Sequence, residues 1–230
     1  MTDVGGTPES RAELVSKLSH EVRGPVSTLR GLVGTTLTHY DRLSDDERRE
    51  FLHLIKHEAD RLERSVEQVA LALRLDAGSV RLDVQRQDLG AIVREAVESA
   101  DTGDHPVDVD AAPLETPVDG ALIAVVIHQL IDNAATFSPP DAPISVRVRR
   151  DGDDAVVEVV DGGPGVPPDK REAVFERFAD WRPPEYEDRP GAGLGLFISR
   201  TVAREHGGEA SIAEGPAGGT MLIVRLPVEG

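Results

Sequence analysis

Two long segments in the first third of the chain constrain the fold more than any other feature. Residues 9–39 and the segment after Ser44 carry apolar residues at intervals of three or four, the spacing that places them on one face of an α-helix. The sequence DRLSDD separates the two segments, and Ser44 with Glu47 three residues later has the spacing of a capping box at a helix N-terminus. The pattern therefore predicts a helical hairpin.

Each helix of this hairpin has a single apolar stripe. The stripes consist of Leu14, Leu18, Val22, Leu29, Leu32, Val33 and Leu37 in the first helix and Phe51, Leu54, Ile55, Leu62, Val66, Val69 and Leu73 in the second. Pairing two copies into a four-helix bundle would bury both stripes, so we expect a symmetric homodimer through the hairpin. A hairpin that packs on the rest of its own chain is the alternative.

The stretch KLSHEVRGP brings two helix-weakening residues, Gly24 and Pro25, into the first helix. Pro25 has no N–H, so the carbonyl of Glu21 loses its helical hydrogen-bond partner, and we expect a kink there. His20 lies two residues from the apolar positions on either side of it, roughly 200° round the helix from each. This placement predicts that the imidazole faces solvent.

The pattern changes after residues 76–79, where the sequence DAGS is typical of a linker. Strands are predicted near 81–86, 107–109, 144–148, 155–160, 209–213 and 219–226, and helices near 88–100, 119–135 and 193–206. This mixture favours an α/β sandwich in which helices cover one face of a mixed sheet. The whole chain is thus predicted to be α+β, with a helical hairpin at 9–76, a linker at 77–82 and the sandwich at 83–228.

Charge and composition limit the partners of the chain. Its 230 residues include no cysteine, and 25 Lys and Arg against 42 Asp and Glu give a net charge of −17. An acidic surface repels phosphate backbones and anionic lipid, so no nucleic-acid partner is expected. No run approaches the ~20 apolar residues that cross a bilayer, and the first ten residues lack a signal-peptide pattern. We therefore expect a cytoplasmic protein without a transmembrane segment, or the cytoplasmic part of a longer membrane-bound sensor.

Two glycine-rich stretches adjoin predicted elements. DGGPG at 161–165 follows a strand, so Asp161 could accept a hydrogen bond from a ligand amino group while the glycines let the ligand approach the backbone. GAGLGL at 191–196 opens a helix, and N–H groups at a helix N-terminus suit an anion. Taken alone, each stretch is as typical of a turn or of a glycine-rich helix start as it is of a ligand site.

Two further sets of side chains are candidates for a ligand site. Gln129 and Asn133 are four residues apart and share one helix face, and the Asn133 amide oxygen is of the kind that binds Mg²⁺. For an isolated Asn, a polar helix face is the plainer interpretation. VFERF at 174–178 precedes a proline- and glycine-containing run that suits a mobile lid, although two phenylalanines are more often core anchors.

The order and spacing of these stretches resemble the catalytic and ATP-binding domain of sensor histidine kinases. HQLIDNAATFSPP, VVDGGPGVP, VFERF and GAGLGLFISR are similar to that family's N box, first glycine box, F box and second glycine box. SHEVRGP at 19–25 resembles its phosphoacceptor H box, on the first helix of a dimerisation hairpin. The resemblance spans about residues 10–228. It implies ATP and Mg²⁺ as cofactors, a sandwich fold shared with gyrase-type ATPases, and the receiver domain of a response regulator as partner.

The resemblance also implies a role for each matching residue. His20 would accept the phosphoryl group, and Glu21 would accept or orient the imidazole proton. Asp161 would recognise the adenine amino group, and Asn133 with Gln129 would hold Mg²⁺. The other nucleotide contacts would come from Phe137, Gly163, Gly165, Arg177, Gly191, Gly193, Leu194 and Gly195.

Two positions of the N box depart from the family pattern. Gln129 stands where the family usually has Asn, and Thr136 stands where it usually has Lys or Arg. A substitute cation for the phosphates would be one of three arginines, Arg177, Arg182 or Arg189. These departures motivate one alternative, a degenerate kinase that acts as a scaffold. A second alternative is a gyrase-like ATPase or a serine kinase of the same superfamily, and the H box argues against it.

Gly24 is a third departure. It stands four residues after His20, where many relatives have a Thr or Asn thought to position the water for dephosphorylation of the partner. Glycine has no side chain for this task, so phosphatase activity is not expected.

Overall fold

The computed structural model describes the backbone of residues 8–187, 191–216 and 218–229, and the side chains of these ranges from residue 23 onward. The chain divides into two units, with the boundary between Ala77 and Gly78.

The first unit is the predicted helical hairpin. Helix α1 (Pro8–His39) is followed by a 3₁₀ turn (Tyr40–Arg42) and helix α2 (Asp45–Asp76). The predicted capping box is present: the Glu47 N–H donates to Ser44 Oγ at 3.3 Å, and the Ser44 N–H donates to Glu47 Oε2 at 2.8 Å. These two bonds satisfy backbone donors that α2 itself leaves unpaired, and they define where α2 begins.

Helix α1 continues through Pro25, which is buried. The kink expected at this residue stays a prediction. His20 and Glu21 lie on the helical backbone of α1, but their side chains fall outside the described residues. The orientation expected for the His20 imidazole therefore also stays a prediction.

The second unit contains seven strands and three α-helices within the described residues. In chain order they are β1 (Gln85–Asp88), α3 (Leu89–Ser99), β2 (Val107–Ala111), β3 (Glu115–Val118), α4 (Gly120–Phe137), β4 (Ile144–Asp151), β5 (Asp154–Val160), α5 (Gly195–Glu205), β6 (Glu209–Glu214) and β7 (Thr220–Pro227). Five strands form one sheet in the order β2-β4-β5-β7-β6, with β2 and β4 parallel and the other pairs antiparallel. Strands β1 and β3 form a separate antiparallel pair.

Alternate residues of the central strands form the core. Val146, Val159 and Leu222 stand side by side in β4, β5 and β7, and all three are buried. Residues of α3, α4 and α5 are buried with them, which confirms the predicted sandwich with helices on one face of a mixed sheet. Charged side chains lie on the other face, where Arg149 pairs with Glu158 at 2.8 Å.

Strand β3 is an element that the sequence pattern did not indicate. It contains Pro117, and proline disfavours strands because it has no N–H for the ladder. Its partner β1 starts at Gln85 rather than at residue 81, because the pairing with β3 covers only four residues. Local alternation placed the start of β1 four residues too early, because the extent of this strand depends on its pairing with β3.

Side-chain caps begin two of the helices. Asp88 Oδ1 accepts the N–H of Gly90 at 3.0 Å at the start of α3, and Asp119 Oδ1 accepts the N–H of Leu122 at 3.1 Å at the start of α4. Among the described helices, α4 is the one long and apolar enough to cross a membrane. It is also the central helix of the sandwich, with Ile123, Ile127 and Leu130 almost fully buried, and this placement accounts for its composition.

Candidate functional site

Asp161 lies at the C-terminal end of β5 with only 6% of its surface exposed. Its Oδ1 accepts the N–H of Gly163 at 2.8 Å and the N–H of Thr220 at 3.1 Å. Burial raises the pKa of the Asp161 carboxyl above its usual value, and the two backbone hydrogen bonds oppose that rise. The carboxylate is therefore held in one orientation by a loop on one side and by β7 on the other.

Gly163 brings the first glycine-rich stretch against the end of α4. A Cβ at this position would lie 2.6 Å from the Phe137 carbonyl oxygen and 2.9 Å from Asp161 Oδ1, both too close for any side chain. Glycine is thus required by the approach of two backbone segments. The structure in this way brings together three predicted site residues: Asp161, Gly163 and Phe137.

The ring of Phe137 is in contact with the segment that follows the F box. The Tyr186 ring lies edge-on to it with centroids 5.6 Å apart, and the Arg182 guanidinium carbon lies 6.0 Å from the Phe137 centroid. The sequence indicated a lid in this region but not its contact with α4. Of the three arginines considered as substitute cations, Arg182 lies at Phe137, Arg177 lies 5.8 Å from the Phe178 centroid, and Arg189 is outside the described residues.

Gln129 and Asn133 lie against the first turn of α5. A Cβ at Gly195 would be 2.7 Å from Gln129 Oε1 and 3.7 Å from Asn133 Nδ2. Gln129 is 7% exposed, and Leu194, the residue before the first turn of α5, provides no side-chain cap. The N–H groups at the start of α5 and two amide side chains therefore meet at one place, and that combination suits an anion with an associated cation.

The second glycine-rich stretch lies against the end of the F box. Gly193 has φ +65°, and a Cβ there would collide with the Ala179 carbonyl oxygen. Leu194 is 1% exposed, so its side chain belongs to the core and only its backbone is placed to meet a ligand. Phe175 of the F box is buried as well, with the Arg200 guanidinium carbon 4.6 Å from its ring centre.

The remaining candidates are less closely grouped. Gly165 has φ +76° and lies by the Gly218 carbonyl, whereas Gly191 is exposed beside the undescribed residues 188–190. Sequence reasoning missed Thr220, which holds Asp161 through its backbone N–H. The glycine pair just before β7 was the available signal. The described residues contain no group of three His, Cys, Asp or Glu that could hold a metal, so a metal here would depend on amide oxygens and on the ligand.

Two protein families match the chain. Residues 118–230 match the family described as histidine kinase-, DNA gyrase B- and HSP90-like ATPases. Residues 10–78 match the His Kinase A (phospho-acceptor) domain. The two matches fall on the sandwich and on the hairpin, respectively.

Individual relatives agree with these families. The chain is 27% identical to the sensor protein KdpD of Clostridium acetobutylicum over 95% of its own length and 25% of that protein. It is 33% identical to the signal transduction histidine-protein kinase/phosphatase MprB of Mycobacterium avium over 95% of its own length and 43% of that protein. The chain thus spans less than half the length of these curated relatives.

A solved structure of a mycobacterial sensor histidine kinase MprB is similar with a TM-score of 0.56 and 30% identity. That match covers 63% of the chain and 97% of the solved structure.

Proposed function

Because the chain belongs to the sensor histidine kinases, we propose that it is a kinase core that phosphorylates His20 from ATP and passes the phosphoryl group to an aspartate of a response regulator. The observation that carries this proposal is that two groups of candidate residues lie at different positions along α4. Asp161 and Phe137 lie at the end of the helix, while Asn133, Gln129 and the start of α5 lie one to two turns earlier.

This arrangement would fit ATP with its adenine at Asp161 and its phosphates at the start of α5. The buried Asp161 carboxylate would accept a hydrogen bond from the adenine amino group, and Phe137 stands at the end of α4 that Gly163 approaches. The phosphates would extend to the start of α5, where the N–H groups of the first turn and the positive end of the helix dipole favour negative charge. A chain with a net charge of −17 requires such a local device to bind an anion.

Mg²⁺ fits the phosphate end of this site. Asn133, assisted by Gln129, would hold the ion together with phosphate oxygens, since Mg²⁺ usually takes few protein ligands and keeps substrate oxygens and waters. When bound, the ion would neutralise phosphate charge.

His20 would act as the nucleophile. A ring nitrogen of the imidazole forms a bond to the γ-phosphorus, the bond from that phosphorus to the bridging oxygen breaks, and ADP leaves. Glu21 would accept or orient the proton on the other ring nitrogen. The same phosphoryl group then moves from nitrogen to an aspartate oxygen of the receiver domain, which restores the imidazole.

A homodimer through the hairpin is part of the proposal. Several apolar side chains of the hairpin are exposed, including Leu37 at 71% and Val66 at 51%. An open groove of about 440 Å³ in the hairpin is lined by four apolar residues and two glutamates: Leu29, Ala59, Leu62, Val66, Glu63 and Glu67. A second hairpin would cover these residues, as in four-helix bundles. We place the kinase core in the cytoplasm, where ATP is available.

Labelled ATP tests the proposal directly. Incubation with γ-labelled ATP and Mg²⁺ should label the protein, and the label should be acid-labile, alkali-stable and absent in His20→Gln. Label that survives His20→Gln would contradict the role of His20. Binding of ATP without any labelling of the wild type would favour the scaffold, which the Gln129 and Thr136 departures motivate.

A further inference from the structure

His206 follows α5 and makes two hydrogen bonds through its ring. Nδ1 lies 2.8 Å from the Val202 carbonyl oxygen, and the backbone N–H of Asp119 donates to Nε2 at 3.0 Å. A carbonyl accepts only and an amide N–H donates only, so the ring is in the tautomer with its proton on Nδ1. The end of α5 is thereby joined to the residue that begins α4.

Asp119 uses its carboxylate for two further bonds. Oδ1 accepts the N–H of Leu122 at 3.1 Å and so caps α4, while Oδ2 accepts the N–H of Asp83 at 3.0 Å. Asp83 lies in the extended segment that leads from the linker to β1. One residue therefore connects the start of α4, the end of α5 and the segment by which the chain enters the sandwich.

Helices α4 and α5 run in opposite directions beside each other. The end of α5 lies at residue 119, and its start, Gly195, lies at Gln129 and Asn133. The connection through His206 and Asp119, here called the His206–Asp119 link, therefore holds one end of the helix pair. The polar cluster assigned to the nucleotide phosphates lies at the other end, about 16 Å away for an eleven-residue helix.

We propose that His206 and Asp119 are positioning residues that set the spacing of α4 and α5 at the phosphate end of the site, and that the Asp83 segment acts on the site through them. This inference rests on the proposed function, because it concerns the same nucleotide site. Two helices that pack in a dense core move as rigid rods, so a change in spacing at one end is transmitted to the other.

Two substitutions of His206 separate its two hydrogen bonds. His206→Gln can place an acceptor near the position of Nε2, whereas His206→Asn reaches only the position of Nδ1 and leaves the Asp119 N–H without its partner. Val93→Ala in α3 is the control, because it removes a fully buried side chain and lowers stability without touching the link. The Kd for ATP·Mg²⁺ is measured by calorimetry, well below each unfolding temperature.

We expect His206→Asn to weaken ATP·Mg²⁺ binding roughly threefold to tenfold, with His206→Gln closer to wild type and Val93→Ala unchanged. The KM for ATP in autophosphorylation should rise accordingly. Wild-type affinity in His206→Asn, or an equal loss in the Val93→Ala control, would overturn the inference.

Amide hydrogen exchange of the nucleotide-free protein separates this inference from the proposed function. The Ile198 amide, which donates to the Leu194 carbonyl at 2.8 Å in the first turn of α5, should exchange faster in His206→Asn than in the Val93→Ala control. Asp83→Pro, which removes the N–H donor, should have the same effect, and Asp83→Asn, which keeps it, should not. Unchanged exchange at Ile198 would overturn the link, whereas a wild type that binds no ATP would refute the proposed function and leave this readout intact.

Discussion

Asp161 combines two opposing properties at a single residue. Its carboxylate is buried, which disfavours the ionised form, yet it is fixed by two backbone N–H groups in an orientation suited to a ligand. Such a group costs stability in the free protein, and the proposed contact with adenine would account for its presence. Functional residues commonly show this trade-off.

Asp161→Asn should separate the two properties. Asn keeps the Oδ1 acceptor for Gly163 and Thr220 but replaces the other oxygen with an NH₂ donor, which would face the adenine amino group. We expect ATP affinity to fall by at least about tenfold while the free protein is at least as stable as wild type. Calorimetry and thermal unfolding of the same preparation measure both.

The pH dependence of this variant follows from the raised pKa of Asp161. The folded wild type holds the Asp161 proton to higher pH than the unfolded chain, so this residue lowers the free energy of unfolding as pH rises above the ordinary Asp value of about 4. Asp161→Asn should lack this component. A stability difference that stays constant across that pH range would contradict the assignment.

Gly163 and its neighbour Gly162 can be compared to test whether the close approach of α4 to this loop requires glycine. A Cβ at Gly163 meets the Phe137 carbonyl at 2.6 Å, whereas a Cβ at Gly162 meets only the Ala142 methyl at 3.3 Å. Gly163→Ala should cost about 1–3 kcal/mol of unfolding free energy and weaken ATP binding, and Gly162→Ala should cost much less. Equal costs in chemical denaturation would show that the approach of α4 to this loop is not the reason for glycine.

At the scale of elements, the hairpin differs from the sandwich in what its helices bury. Helices α3, α4 and α5 bury their apolar faces on the sheet. In contrast, Val33, Leu37, Leu54 and Val66 of the hairpin remain substantially exposed in a single chain. Exposed apolar residues at helical spacing indicate a surface that another helix covers.

Val66→Asp should break the proposed dimer. A charge placed on a surface that a second hairpin would bury should raise the dimer dissociation constant by at least about tenfold, measured by analytical ultracentrifugation. Arg64→Asp is the control, since residue 64 lies on the opposite side of α2 and this change adds even more negative charge. Dissociation of both variants would point to net charge rather than to the apolar stripe.

At the scale of the whole molecule, the chain consists of two units with separate cores. The sandwich has a large buried core that includes Ile127, Val157 and Ile198, while the described hairpin buries few apolar side chains. The proposed chemistry divides in the same way, with the phosphoacceptor in one unit and the nucleotide site in the other. The kinase reaction would then require both units.

Residues 78–230 alone should fold cooperatively and bind ATP with an affinity close to that of the whole chain. The buried core of the sandwich is formed by residues of the second unit, so we expect the sandwich to fold without the hairpin. The fragment should nevertheless incorporate no label from γ-labelled ATP, because it lacks His20. A fragment that is unfolded by circular dichroism would show that the units depend on each other for stability.

The sequence by itself determined the hairpin, its capping box and the helices over one face of a mixed sheet. Each of these depends on local periodicity or on short-range pairs such as Ser44 with Glu47. The residues involved are close together in the sequence, so the pattern can be recognised without the fold. The motifs also indicated the candidate site residues, from Gln129 to Gly195, because their order and spacing together resemble the family's boxes although each stretch alone is not specific.

Only the tertiary structure decided which of these residues meet. The pairing of β1 with β3, the contact of Phe137 with Tyr186 and the His206–Asp119 link all join residues far apart in the chain. No periodicity encodes such contacts, because they depend on how complete elements pack. Local sequence therefore indicated most of the elements and the candidate residues, whereas packing decided β3, the bounds of β1 and the geometry on which the proposed chemistry depends.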